Sequence, residues 1–128
     1  MVMFMSKVMV DFSIETEDQT QAFETEGVVL GNSLIFHDEK SQKHTIDFDG
    51  GKMRYLRGGD PAFDFTFEDN VQHVGTYQVG NQTLRFDIQT HKLIIQQNKI
   101  ELTYTLKQGD IVVNHSALIL KYEKMQEA

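Results

Sequence analysis

Apolar and polar residues alternate along most of this chain. Val8, Val10, Phe12 and Ile14 share one phase, while Lys7, Asp11, Ser13 and Glu15 share the other, and Met9 alone breaks the polar side. A period of two marks a half-buried β-strand, because successive side chains of a strand point to opposite faces. The pattern returns with Phe63, Phe65 and Phe67 against Asp64, Thr66 and Glu68, and with Leu84, Phe86 and Ile88 against Arg85, Asp87 and Gln89. Ile100, Leu102, Tyr104 and Leu106 repeat it once more. No segment carries a helical period.

Turn signals separate these runs. Gly31-Asn32 joins Val28-Val29-Leu30 to Leu34-Ile35-Phe36, and Gly80-Asn81 joins Tyr77-Gln78-Val79 to the Leu84 strand. Such pairs tolerate the positive φ of tight hairpins. Asp49-Gly50-Gly51, Asn98-Lys99 and Gln108-Gly109-Asp110 serve the same purpose. Longer breaks fall at Asp38 to Lys43, at Gly58-Gly59-Asp60-Pro61 and at Glu68-Asp69-Asn70, and the single proline lies in a loop.

Consecutive hairpins make sequence neighbours into spatial neighbours, and a long meander removes its exposed edges by curling shut. The expectation is an all-β fold: an antiparallel up-and-down meander closing into a barrel of about 8 to 10 strands. One domain should span residues 1–128, with its core over about 7–122. Gly27 interrupts an extended stretch and marks a bulge, a bend or a break between two short strands. Leu118-Ile119-Leu120, within a long last segment from Ile111 to Tyr122, is apolar on both faces. That segment is expected to be covered on both sides, by the apolar N-terminus or by another subunit.

Composition narrows the partners. The chain is 40% hydrophobic and 24% charged, an ordinary globular balance for its 128 residues. Its 12 basic against 19 acidic residues leave a net charge of -7, which repels nucleic acid and anionic membranes, so neither is expected as a partner. Lys52, Arg54 and Arg57 cluster in sequence, as a basic patch or as separate solvated strand charges. The absence of cysteine excludes disulfides, thiolate nucleophiles and cysteine-based metal sites. With no tryptophan either, the Cys-Trp-Cys signature of immunoglobulin domains is missing. The apolar opening from Met1 to Met5 is too short for a signal peptide, and no run is long enough to span a bilayer, so the cytoplasm is the expected location.

Candidate chemistry is sparse. His44 shares a phase with Ile46 and Phe48, His73 with Tyr77 and Val79, and His115 with Ile111 and Val113. Three histidines on apolar faces could meet at a metal, but no spacing forces them together, and hydrogen-bonded histidines at the barrel ends are the simpler reading. No metal site and no cofactor are expected. The chain has no nucleophile elbow, no phosphate-cradling glycine loop and no zinc-protease helix, so it is not read as an enzyme.

The aromatic residues are the better clue. Phe63, Phe65, Phe67, Tyr77, Phe86 and Tyr104 all fall on apolar phases, and a closed barrel would turn them toward one interior. That interior is either filled or leaves room for one small ligand. Arg57, in phase with Tyr55 and Met53, could point inward and meet a ligand carboxylate bidentately. These seven residues and His73 form the candidate ligand-binding set. The expected function is the binding of a small apolar or amphipathic molecule in a cavity of roughly 300 Å³ or more. The alternative is a protein-interaction or homo-oligomerising module, for instance a homodimer. Such a module would have a filled barrel and would pair through an exposed strand edge or the Ile111 to Tyr122 strand.

The order of several short motifs resembles the YwiB-like family. These are Gly27 followed by Asn32-x-Leu34-Ile35-Phe36-His37-Asp38-Glu39, then Arg57-Gly58-Gly59, the strand Phe63 to Phe67, Tyr77-x-x-Gly80, and Leu84-x-Phe86-x-Ile88-x-Thr90. The resemblance covers about Lys7 to Tyr122. It implies a small bacterial protein of unknown function with a calycin-type, lipocalin-like β-barrel, and it carries over no reaction, ligand or catalytic residue. The matching positions are Glu39, Arg57, Gly58, Tyr77, Gly80 and Thr90. His37 and Asp38 stand where the family pattern has an aromatic residue, which counts against a ligand role for that strand.

Overall fold

The computed structural model describes residues 5–125, in which every element is a strand. Ten strands follow one another: β1 (Met5–Thr16), β2 (Thr20–Leu30), β3 (Ser33–His37), β4 (Lys43–Asp49), β5 (Lys52–Arg57), β6 (Ala62–Glu68), β7 (Gln72–Val79), β8 (Gln82–Gln96), β9 (Lys99–Gln108) and β10 (Ile111–Lys124). Each pairs antiparallel with the next, and β1 pairs with β10 to close the barrel. This is the up-and-down barrel that the alternation implies, lipocalin-like as the family resemblance implies. Closure gives each of these ten strands a neighbour on both sides.

The hairpins turn where the backbone tolerates positive φ, as at Gly31 (φ 61°), Gly80 (φ 57°) and Asn98 (φ 70°). Gly27 lies inside one continuous strand, β2, with no bulge in its ladder to β1. Its role is close approach: a Cβ there would stand 2.7 Å from the carbonyl oxygen of Ile35 on β3.

The apolar phases point inward as read. Val8, Val10, Phe12, Leu34, Phe36, Ile46, Met53, Ile88, Ile100, Leu102, Leu118 and Leu120 are all buried. Leu84 keeps the phase of Phe86 and Ile88 but is 37% exposed. The ladder between β8 and β9 begins only at Asp87, so the start of β8 runs past its neighbour and leaves Leu84 at the rim. A bulge between Val112 and Asn114 shifts the phase of β10, which separates His115 from Val113. On the outer face of β10, Ile119 is 44% exposed in the single chain. The apolar residues 1–4 lie outside the described part.

The ladder between β6 and β7 is short, with pairs only from Ala62–Gln78 to Asp64–Thr76. Beyond it the Phe65 ring occupies the place where a side chain of Gly75 would stand. A Cβ on Gly75 would also come within 2.7 Å of Ile88 Cδ1. A residue without a side chain thus makes room for a ring within the barrel.

Candidate ligand-binding cavity

In an up-and-down barrel alternate hairpins gather at one end. The loops β1–β2, β3–β4, β5–β6, β7–β8 and β9–β10 share that end, and below them opens a cavity of about 430 Å³. The barrel is therefore not filled. Of the candidate set, Arg57, Phe63, Phe65, Phe67, Tyr77, Phe86 and Tyr104 all line this cavity. His73 does not. It sits two rungs deeper on β7, opposite Ile88, and its Nε2 lies 3.0 Å from Glu68 Oε1 near the far end of the barrel.

Register explains the aromatic wall. Arg57 pairs with Phe63, Tyr55 with Phe65 and Met53 with Phe67, so the inward residues of β5 and β6 face the interior side by side. The Phe63 and Phe65 rings stack at 4.7 Å, Tyr55 meets Phe63 edge-on at 4.9 Å, and Phe67 packs against Tyr104 at 4.7 Å. Tyr77 and Phe86 form a T-shaped pair at 6.1 Å.

Arg57 lies inward, as its phase implies, while Arg54 points out and pairs bidentately with Asp64 at 3.0 and 2.7 Å. The cluster Lys52, Arg54, Arg57 is thus split between faces and forms no basic patch. The Arg57 guanidinium carbon stands 5.0 Å from the Phe63 ring centroid, and Nη2 donates to the Pro61 carbonyl at 3.1 Å. Its Nε is buried and has no hydrogen-bond acceptor among the described residues. Nor does Arg57 form an ion pair with any described carboxylate, as the six ion pairs all involve other residues.

Beside Arg57 runs a polar chain that alternation alone does not reveal. His44, 4% exposed, lies opposite Arg57 in the β4–β5 register and stacks on Phe36 at 4.7 Å. Its Nε2 lies 2.9 Å from Asp38 Oδ2, and its Nδ1 lies 2.6 Å from the Tyr55 hydroxyl. Asp38 Oδ1 accepts from the backbone N–H groups of Lys40 and Gln42 at 2.9 and 3.0 Å, so the carboxylate also shapes the β3–β4 loop.

Protonation follows from these contacts. Burial pushes His44 below its ordinary range, against the pull of Asp38, so the imidazole is neutral near pH 7. Burial opposes ionisation of Asp38, but the bonds from His44, Gln42 and Lys40 outweigh it and hold the carboxyl below its ordinary range. An ionised carboxylate only accepts, so His44 Nε2 carries the ring proton and Nδ1 accepts from Tyr55. Burial also pushes the Tyr55 and Tyr104 hydroxyls upward, and both keep their protons. Asp38 thus lines the cavity from the β3–β4 loop. Glu39, beside it, is exposed.

The other histidines stand apart. His91, displaced at a bulge between Thr90 and Lys92, and His115 approach the Thr105 hydroxyl at 2.6 and 2.7 Å on the outer wall. No three His, Asp or Glu side chains among the described residues are grouped to hold a metal.

Comparison with known proteins agrees with this architecture. The family model described as "Domain of unknown function (DUF1934)" matches residues 7–120. Among solved structures, the crystal structure of the ywiB protein from Bacillus subtilis is similar, with a TM-score of 0.67 over 97% of this chain and 94% of that one. The two are 16% identical, so that likeness speaks for the fold. No curated protein matches the chain.

Proposed function

The chain belongs to the family described as a domain of unknown function (DUF1934), and within it we propose that this protein binds one small amphipathic acid in its barrel. The apolar body of the ligand lies among Phe63, Phe65, Phe67, Tyr77, Phe86 and Tyr104, and its anionic group meets Arg57. One observation carries the reading: a cavity of about 430 Å³ holds a guanidinium whose buried Nε has no acceptor and whose charge has no carboxylate partner among the described residues. A guanidinium on the wall of an apolar cavity, with no carboxylate partner, favours an anionic group in the bound ligand. The rings supply apolar area, and the volume suits a compact ligand.

Fluorescence titration with 8-anilinonaphthalene-1-sulfonate, an apolar anion, tests this. One site per chain is expected, with affinity lowered about tenfold or more by Arg57→Met, which keeps bulk and removes charge. Absence of a saturable site, or identical affinity in the variant, would count against the proposal.

A further inference from the structure

We infer that the acid bound in the barrel carries a hydroxyl group near its anionic end, so that the site prefers hydroxy acids to plain acids of equal chain length. This rests on the reading of the cavity as an acid-binding site and names the class of acid.

The inference comes from counting donors and acceptors along the polar wall. Asp38 spends Oδ1 on two backbone N–H groups and Oδ2 on His44. His44 therefore spends its one proton on Asp38 and offers only a lone pair at Nδ1. Tyr55 spends its one proton on that lone pair, at 2.6 Å. His44 is the partner of the Tyr55 hydroxyl among the described residues, so the phenolic oxygen retains acceptor capacity and has no proton left to give.

Tyr55 and Arg57 are two positions apart on β5, on the same inward phase, and both line the cavity. Their Cα atoms are thus separated by roughly 6.6 Å along the strand. The wall presents Arg57, a cation with no carboxylate partner among the described residues, and, one rung deeper, an oxygen that can only accept. A ligand complementary to both supplies an anionic acceptor and, a few bonds away, a donor. A hydroxyl does this, whereas an unsubstituted acid leaves the Tyr55 oxygen facing hydrocarbon. Sites built to bond a hydroxyl discriminate against analogues lacking it, because a buried polar group is otherwise left unpaired.

Calorimetric titration of the full chain with decanoate, 2-hydroxydecanoate and 3-hydroxydecanoate tests the assignment, with Tyr55→Phe as the variant and a thermal melt to confirm its fold. The better hydroxy acid is expected to bind wild-type protein about tenfold more tightly than decanoate, the worth of one net hydrogen bond. In Tyr55→Phe that ratio should fall toward one. Equal affinities in the wild-type protein, or a preference that survives in the variant, would overturn the hydroxy-acid assignment and leave the acid-binding reading standing. Failure of all three acids to bind would overturn both.

Discussion

The Tyr55 hydroxyl and His44 Nδ1 lie 2.6 Å apart inside the barrel, joined diagonally across a ladder in which His44 pairs with Arg57 and Tyr55 with Ile46. Neither group has another described partner for that proton or that lone pair. The bond ties the β3–β4 loop, through Asp38, to the floor of the cavity. It gives a structural role to residues that alternation would place in an apolar core.

Tyr55→Phe removes the donor and leaves His44 Nδ1 buried without a partner. The expected cost is about 1–3 kcal/mol of unfolding free energy, read by urea denaturation with an unchanged m-value. A variant as stable as the parent would mean that water or a rearranged His44 replaces the bond.

Stability should depend on pH through His44. Its pKa in the folded protein is depressed below the ordinary 6.5, so its contribution is present above that value and is lost as pH falls through the folded pKa. In that window the unfolded chain binds more protons than the folded one, and stability falls with pH. Asp38, also depressed, adds a further loss below the ordinary 3.8. Denaturation midpoints measured from pH 7 to pH 4 should therefore decline, and His44→Gln should flatten the part of the decline that begins near pH 6.5. An identical slope in the variant would exclude His44 as the source.

Gly75→Ala should destabilise the barrel by about 1–3 kcal/mol, because the new methyl meets Ile88 Cδ1 at 2.7 Å and, nearer still, the Phe65 ring. Combined with Phe65→Leu, which vacates that space, the alanine should cost less than it does alone, a coupling that a double-mutant cycle measures. Simple additivity would show that the ring does not press on this position.

The barrel was legible because one face of nearly every strand is apolar and the hairpins announce themselves. The same alternation located Arg57, Phe63, Phe65, Phe67, Tyr77, Phe86 and Tyr104 on the interior, since phase alone decides which way a strand residue points. It misled where phase is not the whole story. His73 is on the inward phase but too deep to reach the cavity, and depth depends on where hairpins turn. Leu84 and Val113 lie where a neighbouring strand ends or a bulge intervenes. The partnership of Asp38, His44 and Tyr55 left no local signal, because its members come from a loop and two strands. In retrospect the hint was a histidine and a tyrosine on the apolar phases of adjacent strands, which a buried setting obliges to find partners.

Native mass spectrometry of the protein isolated from its source cells, set against its denatured mass, addresses most directly whether the barrel holds a molecule. A single small-molecule adduct per chain, released on denaturation and absent from Arg57→Met, is expected, and its mass would identify the acid. A bare chain under conditions that preserve the fold, whether alone or paired with a second copy, would contradict a ligand-holding barrel.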